Sequence, residues 1–424
     1  MNVKFIALGC KVNTYENASI KETFLANGYT NDQDKDADVV VINTCSVTAV
    51  ADQKSRQIIR RERRKYPDAT LVVMGCYSQH NEDYIALNTG ADIILGTNYR
   101  HEIINLVNEF KNTKKQIVKI NHDTRSFKYE SLGSFAIPIG TRAYIKIQDG
   151  CNNFCSYCNI PYTRGIARSR PKQEIIDEIT YLISLGYKEF VLTGIHTAHY
   201  GLDIKGTRFS DLVEEILDIP GLYRLRISSI EESEIDDKLI NLLTTRDNIA
   251  SHLHMPLQSG SRTVLKRMRR KYNVDDFINK VNRIREVRPD ISITTDVIVG
   301  FPGETEEEFQ ETFDFIKKVK FSELHVFPFS AREGTDAFNY PDQISNKVKE
   351  ERVAKLIFLS NKLQNEYEFK FIGKELEVIL EERNKTNHLV GGFSSNYIKL
   401  FGDFPDEMIG KIVKIKVDKF SLNK

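Results

Sequence analysis

Residues 148–158 read Gln148-Asp149-Gly150-Cys151-Asn152-Asn153-Phe154-Cys155-Ser156-Tyr157-Cys158. The cysteines of this stretch are spaced Cys-x3-Cys-x2-Cys, and three is the informative number. A four-iron cluster is normally held by four thiolates. With three, one iron keeps an open position for a substrate or cosubstrate, the logic that separates catalytic from structural zinc sites. Zinc is the competing occupant, but it needs a fourth ligand, and no histidine lies within a few residues of the loop.

The loop directly follows an apolar run at 144–147, which predicts a strand. Further strands are expected at 189–192, 223–227, 252–256, 292–299 and 324–329, with helical periodicity at 172–185, 210–217, 275–287 and 306–319 between most of them. Six strands alternating with helices imply a partial (β/α)6 barrel rather than a full eight-stranded one. This central domain is placed at 141–371, and its last part, 347–371, is helical.

Upstream, the pattern predicts strands at 4–8, 39–42 and 71–74, with helices at 14–27, closed by Gly28, and at 49–66, stopped at Pro67. This alternation implies a second parallel α/β sheet, over 1–112. Each remaining cysteine falls just past one of its strands, in Leu8-Gly9-Cys10, Asn43-Thr44-Cys45 and Met74-Gly75-Cys76. Ligand sites of open parallel sheets lie outside the carboxyl ends of the strands, so these three thiols are expected to converge. The alternative is that each is a small buried hydrophobe, as free cysteines often are. Residues 113–140 read as a linker with a short strand at 116–120. From 372 to 424 short alternating strands at 376–380, 388–391, 397–400 and 412–417 predict a small antiparallel β-barrel. The fold class is thus α/β, with a small all-β domain at the end.

Length and composition agree. The chain has 424 residues, enough for about three domains. With 41% hydrophobic and 28% charged residues it is neither disordered nor fibrous. Sixty Lys+Arg against 59 Asp+Glu leave a net charge of +1, so a polyanionic partner has to be met by local patches. No apolar run suits a membrane span. The start, Val3 to Cys10, is too short in apolar length and lacks the basic flank of a lipoprotein signal. Six sparse cysteines suit a reducing cytoplasm, the expected location.

The cysteine loop, with an aromatic before its third cysteine and a barrel strand in front, resembles the radical S-adenosylmethionine superfamily. Adding the N-terminal phrases Leu8-Gly9-Cys10-Lys11-Val12-Asn13, Asn43-Thr44-Cys45-Ser46-Val47-Thr48 and Gly75-Cys76-Tyr77-Ser78-Gln79 makes the chain resemble the methylthiotransferases, most closely their MtaB branch. The likeness continues through Ile160-Pro161-Tyr162-Thr163-Arg164-Gly165, Leu257-Gln258-Ser259-Gly260-Ser261 and Asp296-Val297-Ile298-Val299-Gly300-Phe301-Pro302-Gly303-Glu304, and so spans nearly the whole chain.

The resemblance implies methylthiolation at C2 of N6-threonylcarbamoyladenosine at position 37 of tRNA, with two [4Fe-4S] clusters and two molecules of S-adenosylmethionine. Cys151, Cys155 and Cys158 would hold the radical cluster, and Cys10, Cys45 and Cys76 the auxiliary one. Tyr157, through its backbone, with Gly194, Ser228, Gln258 and Asp296 would line the S-adenosylmethionine site. The implied partners are the tRNA anticodon loop and a one-electron donor such as a flavodoxin or ferredoxin, with no membrane and a monomeric chain. The other readings are a methylthiotransferase for isopentenyladenosine in tRNA or for a ribosomal-protein aspartate, and a non-catalytic iron–sulfur or zinc protein that binds RNA.

For the RNA, three basic patches stand out: Lys54, Arg56, Arg60, Arg61, Arg63, Arg64 and Lys65; Arg164, Arg168 and Arg170; and Arg262, Lys266, Arg267, Arg269, Arg270 and Lys271. The terminal domain resembles a TRAM module, with Phe393, Tyr397 and Phe401 as stacking candidates. From residue 374 it holds nine Lys+Arg against eight Asp+Glu, a modest excess for gripping RNA.

Overall fold

The computed structural model describes residues 1–423. The first sheet is parallel, in the order β1 (Val3–Ala7), β2 (Val39–Thr44), β3 (Thr70–Gly75), β4 (Ile93–Leu95), β5 (Ile117–Lys119). Strands β2 and β3 are buried along their whole length, because helices cover both faces. Alternation sends Val39 and Val41 to one side, against Ile20 and Phe24 of α1 (Lys11–Ala26), and Val40 and Ile42 to the other, against Ile59 of α2 (Ala49–Lys65). Helices α3 (Glu82–Asn88) and α4 (Ile103–Thr113) complete the two layers. Helix α1 begins at Lys11, three residues before its expected start, so Cys10 is its N-cap. The sheet also runs on past residue 112, with β5 pairing beside β4.

The central unit has six parallel strands, β6 (Arg142–Lys146), β9 (Glu189–Thr193), β10 (Arg224–Ile227), β11 (His252–His254), β12 (Ser292–Val299) and β13 (Glu323–Pro328). They form two three-stranded sheets, β10-β9-β6 and β11-β12-β13. The two join where Leu225 donates to Asn248 O at 2.7 Å and accepts from Ala250 N at 2.7 Å. The result is an open six-stranded barrel. Between β6 and β9 the chain makes a short antiparallel pair, β7 (Gln148–Asp149) with β8 (Arg168–Ser169), which brackets the cysteine loop and helix α5 (Ile160–Arg164). Helices α6 (Lys172–Ser184), α7 (Phe209–Leu217), α8 (Asp237–Thr245), α9 (Arg262–Arg267), α10 (Val274–Val287), α11 (Glu306–Val319) and α12 (Asn346–Phe369) follow in order.

The last four strands, β14 (Glu375–Arg383), β15 (Val390–Ser394), β16 (Lys399–Gly402) and β17 (Ile412–Lys416), pair antiparallel in the order β16-β15-β14-β17. A bulge between Leu380 and Glu382 bends β14, and the sheet curls into a half-barrel. It docks on the strand starts of the central barrel. Glu189, 1% exposed, accepts from Arg224 at 3.0 Å and Arg226 at 2.9 Å. The same guanidinium groups reach across to the carbonyls of Phe393 at 3.3 Å, Ser394 at 3.1 Å and Ser395 at 3.2 Å. One buried carboxylate therefore orients two of the cations that grip the terminal sheet.

Removing one member of a buried ion pair strands the others, at about 3–5 kcal/mol. Glu189→Ala is expected to lower the unfolding free energy in urea by that order and to open the chain near residues 370–375 to limited proteolysis. Unchanged stability with unchanged cleavage would refute the docking role.

Candidate active site between two cysteine triads

The first triad assembles from three strand ends. Cys10 precedes α1, while Cys45 and Cys76 leave β2 and β3 and are buried. Gly9, at φ +90°, lets the chain pass there, since a Cβ would collide with the Cys45 sulfur. Burial pushes the Cys76 thiol up to about 12 and also raises that of Cys45, with Cys10 adding to both. Thiols so placed keep their protons unless a metal takes over the negative charge. Arg164 donates from Nε to Cys76 Sγ at 3.2 Å and so already offers a positive charge. Ser46, next to Cys45, accepts from Arg332 at 2.7 Å and from Asn159 through its carbonyl at 3.3 Å, tying the triad to the barrel.

The second triad sits in the loop between β7 and α5. Gly150, at φ +73°, begins it where a Cβ would overlap Ile166 O, and Cys151 N donates to Gly165 O at 3.0 Å. Burial pushes the thiols of Cys151 and Cys158 up to about 12. Asn153 N donates to Cys151 Sγ at 3.4 Å and Arg270 to Cys155 Sγ at 3.3 Å. Arg270 is held by Glu231 at 2.5 Å, and Glu231 also pairs with His196 at 3.3 Å. All three cysteines line a cavity of about 210 Å³ together with Tyr157, Gln258 and Asp296. Gln258 takes a left-handed φ of +64° as its backbone bonds Asp296 O at 2.8 Å and Ile298 N at 2.9 Å.

Gly194 and Ser228 fall outside that wall, where Ile195 and Ser229 stand instead. Gly194 packs on Gln148, and Ser228 bonds Thr197 at 3.1 Å and lines a neighbouring cavity. The donor sets fit iron–sulfur clusters: three thiols each, buried or half-buried, with an N–H group from an arginine on one sulfur and, at the second triad, open space beside the loop. A larger cavity of about 490 Å³ lies between α1 and the terminal sheet, but no cysteine lines it.

Between the triads lies a buried ion network. Glu16, on α1, accepts from Arg100 at 2.6 Å, Lys146 at 2.7 Å and Arg164 at 2.9 Å. Asp149, beside the second triad, accepts from Lys146 at 2.7 Å, Arg164 at 3.1 Å and Arg168 at 3.2 Å. Burial alone would raise the Asp149 carboxyl, yet Lys146, Arg168 and Arg164 outweigh it and hold it well below the usual range. Arg164, at the end of the short helix after Cys158, thus touches the supports of both triads.

The structure corrects the basic patches. Arg164, Arg168 and Arg170 are buried in ion pairs, the last with Glu178, and do not face RNA. Arg270 belongs to the second triad and Arg267 is paired with Glu308, whereas Arg262, Lys266, Arg269 and Lys271 stay exposed, Arg262 and Arg269 in surface pairs with Asp275 and Asp336. On α2, Arg63 is tied to Asp92 and Arg56 lies over Tyr77, while Lys54, Arg60, Arg61, Arg64 and Lys65 remain exposed. In the terminal sheet Phe401 is core, and Phe393 and Tyr397 stack on each other at 4.6 Å and under Arg142. Periodicity does not distinguish an arginine that faces water from one that meets a distant carboxylate. Glu231, His196 and Arg332 carry no motif of their own, and Glu16 has only its place shortly after the phrase over residues 8–13.

Residues 145–316 match the Radical SAM superfamily, and residues 2–96 match the uncharacterized protein family UPF0004. The threonylcarbamoyladenosine tRNA methylthiotransferase MtaB of Bacillus subtilis is 47% identical, over 98% of this chain and 94% of its own. That of Aquifex aeolicus is 37% identical, over 98% of this chain and 100% of its own. Among solved structures, the radical S-adenosylmethionine methyltransferase TsrM of Kitasatospora setae shares the fold, with a TM-score of 0.54 at 17% identity over 77% of this chain and 72% of that one. Likeness at this level along nearly the full length of the relatives, on a fold that brings both cysteine triads to strand ends, means that the chain belongs to the radical S-adenosylmethionine tRNA methylthiotransferases, in their MtaB branch.

Proposed function

We propose that the protein methylthiolates C2 of N6-threonylcarbamoyladenosine at position 37 of tRNA, with a [4Fe-4S] cluster on each triad and two molecules of S-adenosylmethionine. The observation that carries this reading is the shared support of the triads: Arg164 contacts Cys76 on one side and, through Asp149, the base of the other cysteine loop. When bound, the cluster on Cys151, Cys155 and Cys158 would supply the electron that cleaves S-adenosylmethionine, and that on Cys10, Cys45 and Cys76 would hold the sulfur to be transferred.

The chain's own residues position and enclose. Tyr157, Gln258 and Asp296 line the cavity in which S-adenosylmethionine would bind. Gly194 acts indirectly, by leaving Gln148 free to accept from His196 N at 3.0 Å and to donate to Gly150 O at 2.6 Å, which shapes the loop. Ser228 acts through Thr197. The arginine N–H groups on Cys76 and Cys155 offset thiolate charge, and the buried network keeps water from the space between the domains. A flavodoxin- or ferredoxin-type protein would deliver the electron, and the exposed cations of α2 suit the tRNA backbone. Among the described residues no helix is long and apolar enough to cross a membrane, and a tRNA substrate supports a cytoplasmic location.

Nucleosides of tRNA from cells with and without the protein test the substrate by mass spectrometry. The 2-methylthio form of threonylcarbamoyladenosine should vanish alone; loss of the isopentenyladenosine form instead would move the assignment to that base, and no change in either would leave a protein target. In anaerobically prepared protein, alanine at Cys10, Cys45 and Cys76 should remove about half the iron and all methylthio product while S-adenosylmethionine is still cleaved to 5′-deoxyadenosine. Alanine at Cys151, Cys155 and Cys158 should abolish both. Replacing Lys54, Arg60, Arg61 and Arg64 by alanine should weaken tRNA binding and flatten its salt dependence by about 0.7–0.9 in log–log slope for each phosphate no longer neutralised; an unaltered slope would remove α2 from the interface.

A further inference from the structure

Inside the barrel, a cavity of about 50 Å³ lies apart from the wall of the second triad. Lys11, Arg142, Arg226, His252, His254 and His325 line it, and among the described residues no carboxylate does. Two of its cations are already matched from behind, Arg142 by Glu381 at 2.9 Å and Arg226 by Glu189 at 2.9 Å. Lys11 differs: it lines the cavity, and among the described residues it makes no ion pair. His252, 5% exposed, bonds Thr294 through Nε2 at 3.0 Å and is stacked on Tyr397, while its Nδ1 is buried without a partner. Buried polar atoms are rarely left unmatched. An unpaired ammonium and an unmatched ring nitrogen lining one cavity whose walls hold no carboxylate call for a ligand that is anionic and hydrogen-bonding.

The position of the cavity narrows the ligand. Lys11 directly follows Cys10 of the first triad. On the other side His254 pairs at 3.2 Å with Asp296, which lines the larger cavity of the second triad. A group bound here therefore lies between the two sets of cysteines, where the substrate base has to be. We propose that this cavity is the subsite for the carboxylate of the N6-threonylcarbamoyl group, with Lys11 as its ion-pair partner. This rests on threonylcarbamoyladenosine being the substrate. An isopentenyl group is wholly apolar and would bury the lysine unpaired, so the same residue that attracts one substrate repels the other.

The test uses the anaerobic holoenzyme and three anticodon stem–loop RNAs that differ only at the target adenosine: threonylcarbamoylated, its carboxylate methyl ester, and unmodified. Binding is read by fluorescence anisotropy. Wild type should bind the free carboxylate about tenfold or more tighter than the ester, as expected for one charge-assisted contact. Lys11→Gln should erase that difference without changing affinity for the unmodified RNA, which also reports that the variant is folded, and Lys11→Arg should restore most of it. Equal binding of carboxylate and ester by wild type, full discrimination by Lys11→Gln, or a uniform loss on all three RNAs overturns the subsite. Product formation by wild type on the threonylcarbamoylated RNA is measured in parallel. Its absence defeats the substrate assignment, whereas product without discrimination against the ester defeats the subsite alone.

Discussion

The carboxylate of Glu16 accepts from Arg100, Lys146 and Arg164, three cations that come from three separate stretches of chain. None of the four side chains has appreciable contact with water. Charges taken out of water are tolerated only when each is matched, and removal of any one leaves the rest uncompensated. The first sheet and the barrel are thereby held in one relative position, because a slide of either would unpair the network. The position of the two cysteine triads depends on this constraint. Lys146 ends a barrel strand, Asp149 starts the second cysteine loop and Arg164 closes the helix that follows it, so the network that locks the domains is made of residues that flank the chemistry.

The same economy governs the other end of the barrel. Glu189 orients Arg224 and Arg226 toward the carbonyls of the terminal sheet, and Arg226 then turns its remaining surface to the cavity that Lys11 enters. Phe393 and Tyr397 lie over this junction with Arg142, so the aromatic residues that would be free to stack on RNA in an isolated domain are used in docking. The terminal sheet therefore closes the barrel floor, and the exposed cations of α2 form a separate surface next to Cys45.

Much of this is legible in the linear chain. Period-two and period-3.6 patterns locate the parallel strands other than the short β4, and most helices, since a strand buried on both faces must be apolar throughout, as β2 and β3 are. The spacing of Cys151, Cys155 and Cys158 marks one site, and the recurrence of a cysteine after three strands marks the other. Tyr157 in the cysteine loop, Gln258 after β11 and Asp296 within β12 line the cavity, whereas Gly194 and Ser228 lie one residue from the wall. A strand end is known from sequence to within a residue or so, and one residue reverses the direction of a side chain.

The order of elements and the two sets of thiols belong to the sequence alone, because both are consequences of local spacing along the chain. The partner of each charge belongs to the packed molecule. Arg164, Arg168 and Arg170 read as a basic patch until Glu16, Asp149 and Glu178 come up against them from up to 148 residues away. Lys11 reads only as part of the Cys10-Lys11-Val12-Asn13 phrase until the barrel sets it in one cavity with Arg142, Arg226 and three histidines. Charge acts through space rather than along the chain, so whether an arginine binds RNA, a thiolate or a buried carboxylate is settled only when the domains pack.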